Sequence, residues 1–355
     1  MLPDVARFAD RWASGVSAVV TGPAALAALD GDGFWAVVAS FEGEVTAVRF
    51  EHVIRARQDG GSALRPTDTA PPTWAPLEGP WETSLGHEAY LQAVADARER
   101  IAAGVIYQAN ICRVLRHPLD AEADLDGLET VVGQGNPAPY AARLRVADAG
   151  LDLVCASPEL WLGRSGTRLV SSPIKGTAAT PEAMLAKDYA ENVMIVDLVR
   201  NDLSHVCRAD TVDVEILCAP QAHPGLVHLV STVAGELRPD VTWADIFGAT
   251  FPPGSVSGAP KSSALTTIAD LETRPRGPYC GAIGWVDASR GEAQLAVGIR
   301  TFWAEHDLEG SRWLAFGTGA GITWGSDPEG EWAETQLKAS RLVGLASGAL
   351  LAADR

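Results

Sequence analysis

The order of apolar patterns along the chain most constrains its fold. Segments of strand character come in runs, around 34–50, 105–116, 139–146, 150–156, 160–171, 212–218, 226–236, 280–302 and 312–318, with helical patterns between the runs. A parallel sheet requires a crossover, usually a helix, between its strands. Runs of strands therefore predict an α+β protein with large, mostly antiparallel sheets flanked by helices. Helices are expected at 88–103, where Tyr90, Leu91, Val94, Ala95 and Ile101 share a face ahead of Gly104, and at about 181–204, 242–249, 260–270 and 328–345. Glu42-Gly43-Glu44 turns the chain between two early strands, and Gly60 through Pro80 has the composition of a surface loop. Two parts are expected, packed as one unit: an N-terminal part, 1–85, and a larger region, 86–350.

At 355 residues the chain is enzyme-sized, and no apolar run approaches the roughly 20 residues of a membrane span. Its N-terminus lacks a signal peptide's apolar middle. A formal charge of −17 argues against nucleic acid and anionic lipid as partners. Cysteines at 112, 155, 207, 218 and 280 form no CxxC pair, and their odd number argues against a disulfide framework, so the reducing cytoplasm is the expected compartment.

Lysine occurs only at 175, 187, 261 and 338, although Lys and Arg together number 28. Guanidinium stays protonated, so a chain this biased toward Arg is expected to keep Lys where a primary amine matters. Lys175, in Ser171-Ser172-Pro173-Ile174-Lys175-Gly176-Thr177, is the sharpest case; it follows a strand-like run, where a turn would present it at the end of a sheet.

Asp188 and Glu191 lie three residues apart on one expected helix, and Glu331 and Glu334 repeat the spacing on the last, so each pair shares a face. Together they could hold Mg²⁺, which takes one or two protein carboxylates directly; solvated acidic faces are the other reading. Lys338, one turn beyond Glu334, is either a surface salt bridge or a ligand-binding cation. Gly317-Thr318-Gly319-Ala320-Gly321 is either a tight turn or an anion-binding one. Arg300 could clamp a carboxylate or form a structural ion pair, and His228 could move a proton or be a satisfied core residue. Glu159 is a general acid if its pocket raises its pKa, and a surface turn otherwise. The stretch Pro253 to Lys261 is neither a GxSxG nucleophile elbow nor a Walker loop.

Taken in order, several segments resemble the chorismate-utilising enzymes, the family of anthranilate, aminodeoxychorismate, isochorismate and salicylate synthases. They are Tyr107-Gln108-Ala109-Asn110, Ser157-Pro158-Glu159, Pro173 to Thr177, Asp188 to Asn192 leading into Asp197 to Leu203, His228 to Thr232, Gly254 to Lys261, Arg276 to Gly284, Ile299-Arg300-Thr301, and Gly319 through Thr335. The likeness spans about residues 85–348 and runs to component I of aminodeoxychorismate synthase. It implies an anthranilate synthase component I-like two-layer arrangement of large sheets, with Mg²⁺ and chorismate between them. Glu191 and Glu334 would bind the metal directly, with Asp188 and Glu331 nearby or through water. Gly176, Thr177, Tyr279, Arg300, Gly319, Ala320, Gly321 and Lys338 would line the substrate site. His228 and Glu159 would assist loss of the ring hydroxyl.

Enzymes of the anthranilate type usually carry Ala where this chain has Lys175, whereas those replacing the 4-hydroxyl with an amine carry Lys. Water-adding members use a Lys base where this chain has Gln108, and an amide cannot deprotonate water. The resemblance thus implies amination of chorismate by ammonia to 4-amino-4-deoxychorismate through a covalent Lys175 intermediate, for p-aminobenzoate and folate or related metabolism. A separate glutamine amidotransferase subunit would supply the nitrogen. The alternatives are a 2-amino-2-deoxyisochorismate or anthranilate synthase of secondary metabolism, and a non-catalytic chorismate-binding protein.

Overall fold

The computed structural model describes residues 3–55, 72–178, 180–223 and 226–348. Its strands run β1 (Val5–Phe8), β2 (Arg11–Thr21), β3 (Phe34–Ala39), β4 (Val45–Arg55), β5 (Glu82–Thr83), β6 (Gln108–Pro118), β7 (Tyr140–Val146), β8 (Leu151–Ser157) and β9 (Leu160–Ser165). They continue with β10 (Arg168–Ser172), β11 (Ile174–Ala178), β12 (Asp213–His223), β13 (Leu226–Glu236), β14 (Gly258–Ala259), β15 (Ala282–Asp287), β16 (Glu292–Val297), β17 (Thr301–His306) and β18 (Arg312–Ile322). The helices are α1 (Pro23–Leu29), α2 (His87–Ala102), α3 (Leu125–Gly135), α4 (Ala186–Ser204), α5 (Trp243–Thr250), α6 (Lys261–Leu271) and α7 (Pro328–Ala346). The expected loop at 60–80 lies outside the described residues up to position 71, and no helix among the described residues is long and apolar enough to cross a membrane.

All the described strand pairings are antiparallel, as the grouped strands predict, and they form one ribbon of two large halves. One half runs from β13 through β10, β9, β16, β15 and β3 to β4. The other runs from β1 through β7, β8, β17 and β18 to β6. Strand β2 joins them by pairing with β4 on one side and β1 on the other. The first 55 residues are therefore the seam of the sheet, and they contain three elements, β1, β2 and α1, without a counterpart in the expected pattern.

Both halves feed one apolar core, in which Ala13, Val37, Ile111, Leu162, Ile195, Ile283 and Ala315 are buried together. A second cluster joins Leu125 and Leu128 of α3 to Leu342 and Leu345 of α7 over Phe302 and Phe316; each such leucine contributes about 1.5–3 kcal/mol relative to exposure. Helix α3 is also absent from the expected pattern. Its Asp124 caps the first turn by accepting from Asp126 N at 2.9 Å.

Lys175 departs from the expected turn: it lies within β11. Pro173 has no N–H for the ladder and separates β10 from β11, but β13 is long enough to pair with both. Ser231 N donates to Pro173 O at 3.1 Å and carries the pairing across the break. Lys261, the first residue of α6, has a structural explanation. Its ammonium donates to Asp202 Oδ2 at 2.6 Å and to Thr250 O at 3.2 Å, tying α6 to α4 and to the end of α5. Burial raises the pKa of Asp202 to about 6, against the lowering effect of Lys261.

A charged cluster fastens the seam to α3. Arg143 is fully buried, with Nε 2.8 Å from Asp126 Oδ1 and Nη1 2.7 Å from Asp152 Oδ1; Arg7 and Arg145 also reach Asp126. Burial alone would raise the Asp126 pKa, but Arg143, Arg7 and Arg145 outweigh it and hold the carboxyl below its ordinary value. A depressed folded pKa gives stabilisation that is present above the unfolded value of about 3.9 and lost as pH falls through the folded one. Arg143→Met should therefore cost about 3–5 kcal/mol in urea unfolding at pH 7, because it strands buried carboxylates. The deficit of Asp126→Asn against wild type should shrink toward zero as the pH of that measurement is lowered below 4; a pH-independent deficit would contradict the assignment.

Candidate active site

The site is built on the β6–β18 ladder, in which Ala109 to Pro118 pair with Ile322 to Trp313. Gly317 to Gly321 lie inside β18, so the run is strand and not a turn, and the glycines answer a packing requirement. A Cβ on Gly317 would overlap the Tyr279 ring, and one on Gly319 would overlap Cys112 Sγ. A Cβ on Gly321 would lie 2.6 Å from Gln108 Nε2, 2.9 Å from Asn110 Oδ1 and 3.6 Å from Lys175 Nζ. Two side-chain amides thus crowd the backbone of β18, and the lysine amine comes within ordinary contact of it. Ala320 points the other way into the core, 2% exposed, and can offer a ligand only its backbone. Tyr279 is buried behind Gly317 and supports this wall from beneath.

Lys175 is partly exposed as a residue, yet its surroundings desolvate the amine. Burial lowers its pKa; Glu191, Glu159 and Glu334 oppose the shift, and Lys338 reinforces it. Glu159, between β8 and β9, is 4% exposed, which rules out the surface-turn reading. Burial raises its pKa to about 7, against the lowering effects of a Ser255 hydrogen bond, Lys175 and the Ile174 backbone. Near neutrality it can therefore give up a proton beside the lysine.

His228, in β13, is paired in register with Thr177 of β11, and its Nε2 lies 3.4 Å from Arg300 Nη2. The side chain of Thr177 lies outside what is described. Arg300 sits between β16 and β17 with φ 54, a left-handed conformation that carries a cost for a residue with a Cβ. Burial, then Arg341, lowers its pKa, and among the described residues it makes no ion pair with a carboxylate. It is thus a desolvated guanidinium beside His228 and under the influence of Arg341.

Helix α4 packs on β11 at Gly176, where φ is 88 and an added Cβ would lie 2.8 Å from Asp188 Cβ. Asp188 caps this helix, accepting from Leu185 N at 2.8 Å. Asn192, 1% exposed, donates from Nδ2 to Lys175 O at 3.2 Å and to Leu229 O at 3.0 Å, while its Oδ1 accepts from Ser231 Oγ at 2.5 Å. It fixes Glu191, its neighbour in the chain, relative to the lysine. On α7, Lys338 Nζ lies 2.6 Å from Glu334 Oε1 and 3.2 Å from Gly319 O, so it is both a salt-bridge partner and a cation at the site. Lys187, which had no role beyond a charged helix position, also acts on Glu191, Glu331 and Glu334.

The four carboxylates do not converge as one cage; among the described residues no group of three or more His, Cys, Asp or Glu is close enough to hold a metal. The all-oxygen set nonetheless fits a hard cation at Glu191 and Glu334, one from each helix. Burial raises the Glu191 pKa, and Glu334 and Asp188 push it further up; burial raises Glu331, again with a push from Glu334. Burial would also raise Glu334, but Lys338 overrides it and leaves that carboxyl lowered. Carboxylates that oppose one another's ionisation favour a bound cation.

A family model described as chorismate binding enzyme matches residues 37–344. The chain therefore belongs to the chorismate-binding enzyme family. Its relatives include the anthranilate synthase component 1 of Aeropyrum pernix, 37% identical over 319 residues, covering 84% of this chain and 70% of that protein. Another, named anthranilate synthase component 1 1, from Haloarcula marismortui, is 37% identical over 77% of this chain and 56% of its own length. The chain thus spans little more than half the length of several curated relatives. Among solved structures, anthranilate synthase component I from Streptococcus pneumoniae gives a TM-score of 0.75 at 22% identity, covering 88% of this chain and 81% of that one. The menaquinone-specific isochorismate synthase of Escherichia coli gives 0.78 at 18% identity, covering 97% and 89%. These likenesses show the shared α+β fold.

Gly321 provides a direct test of the geometry. Gly321→Ala should leave a folded protein, with an overpacking cost of about 1–3 kcal/mol, because the methyl group would displace the side-chain amides of Gln108 and Asn110 while only touching the lysine amine at ordinary contact distance. Urea unfolding that shows Gly321→Ala to be as stable as wild type would contradict this arrangement.

Proposed function

We propose that this chain aminates chorismate at C4, giving 4-amino-4-deoxychorismate and water, through a covalent bond to Lys175. The supporting observation is the desolvated amine, held 3.6 Å from the Cβ position of Gly321 and influenced by Glu159 and Glu191. In the first step the neutral amine attacks C2, both conjugated ring double bonds shift, and the C4–O bond breaks. Glu159 protonates the departing hydroxyl, which leaves as water. In the second step ammonia adds at C4, both double bonds shift back and the C2–N bond breaks, returning the electron pair to Lys175. The carboxylate of Glu159 takes up the proton that the new ammonium loses.

Arg300 would bind one substrate carboxylate, with His228 beside it; Lys338 would contact the substrate from α7. Glu191 and Glu334 would hold Mg²⁺, which when bound would anchor the ring carboxylate and offset its charge, with Asp188 and Glu331 nearby or through water. Gln108 is 1% exposed and neither of its amide atoms is bonded among the described residues, so it would offer a neutral donor and acceptor and no base for water. Ammonia would be taken free or from a separate glutamine amidotransferase subunit. The catalytic region would be residues 86–350.

A second reading has its own support: the named relatives are anthranilate synthases, and these names favour an amine at C2 over one at C4. Incubation with chorismate, Mg²⁺ and an ammonium salt, followed by mass and NMR identification of the product, separates the two. An amine at C4, and loss of activity with ammonia in Lys175→Ala, are expected. An amine at C2, or a wild-type rate in Lys175→Ala, would overturn the C4 assignment.

The acid role of Glu159 predicts a pH limb. Its protonated form is present below about 7 and lost above, so at fixed free ammonia kcat should fall as pH rises through 7. Glu159→Gln should lower the rate by about 10²–10⁴-fold and abolish that limb. A limb that survives the substitution would assign it to another group.

A further inference from the structure

Arg113, in β6, is 3% exposed and has no carboxylate partner among the described residues. Its Nε donates to Thr335 Oγ1 at 3.1 Å, its Nη1 to Thr83 Oγ1 at 3.2 Å, and its Nη2 to Gln336 Oε1. The guanidinium carbon sits 4.3 Å from the ring centre of Trp332. Three of these four contacts are to α7, at positions 332, 335 and 336, which bracket Glu334. Thr335 is fully buried, and its carbonyl accepts from Thr318 Oγ1 at 2.8 Å. Thr318 faces Arg113 in the β6–β18 register. The helix is therefore fastened to the ladder at the residue beside Glu334, on two sides.

Burying an arginine among neutral partners is costly, and a hydrophobic side chain would fill that space more cheaply. What a planar fork adds is direction. Successive helix residues are about 100° apart around the axis, so the rotation of α7 decides whether Glu334 faces α4 or turns away from it.

We infer that Arg113 is a positioning residue for the cation site: gripping Thr335 and Gln336, it sets the rotation of α7 so that the Glu334 carboxylate faces Glu191. This rests on the metal reading of those two carboxylates. Groups that orient metal ligands from behind typically alter metal affinity by about 10–100-fold when removed.

The test measures Mn²⁺ binding by electron paramagnetic resonance on the full chain, without substrate. Thr335→Val, which keeps the shape and removes the hydroxyl, and Arg113→Lys, which keeps the charge and removes the fork, should each weaken Mn²⁺ binding by about 10-fold or more. Thr335→Ser, which keeps the hydroxyl, should bind as wild type does. Arg145→Gln, in the remote cluster on β7, serves as a destabilised control whose affinity should not move, and thermal unfolding confirms that each variant is folded. If folded Thr335→Val and Arg113→Lys bind Mn²⁺ like wild type, or Arg145→Gln weakens it equally, the positioning role is overturned. If wild type binds no Mn²⁺, the metal reading fails and this inference falls with it.

Discussion

The close approach of side chains to the bare backbone of β18 is the constraint on which the rest of the site depends. An antiparallel ladder fixes which residues face each other, and from β6 it delivers Gln108, Asn110, Cys112 and Arg113 to set positions along β18. Because Gly317, Gly319 and Gly321 lack Cβ atoms, Tyr279, Cys112 and the Gln108–Asn110–Lys175 group can press against that strand. A methyl group at any of the three would collide with these neighbours. The antiparallel fold therefore does more than scaffold the chemistry: its register decides which side chains meet the bare backbone of β18.

Charge is distributed to suit that geometry. Three of the four lysines, Lys175, Lys187 and Lys338, act on the carboxylates of α4 and α7, and the fourth fastens α6 to α4. Outside the site, arginine supplies the structural ion pairs around Asp126 and Asp152, where a group that keeps its charge is an advantage. The cleft instead combines a lysine pushed toward neutrality with a carboxyl pushed toward protonation. That is the pairing expected of a nucleophile and an acid working near pH 7.

Much of this was legible in the residues. Helices α2, α4 and α7 carry their apolar spacing openly, and the i, i+3 acid pairs identify the helix faces that turn toward the cleft. Other features depend on neighbours far along the chain. The glycine run looked like a turn because glycine punctuates turns, while its real cause lies in residues 108, 112, 175 and 279. Helix α3 was hidden by Gly127, Gly133 and Gly135, although Asp124 is an N-cap signal that could have revealed it. Lys175 was assigned to a turn because Pro173 breaks the ladder, and only the length of β13 restores the strand. Asn192 stood out only as the end of a matching segment and Arg113 not at all, since a buried amide or guanidinium acquires its role from partners that the fold supplies.

The central claim is that Lys175 forms a bond to the substrate. The most direct measurement is peptide mass mapping of the protein after brief exposure to chorismate without ammonia. The account predicts that the peptide containing Lys175 gains the mass of chorismate less water, and that adding an ammonium salt discharges it. An adduct confined to Lys187, Lys261 or Lys338, or a product formed at full rate with no adduct on Lys175 under any quench, would contradict it.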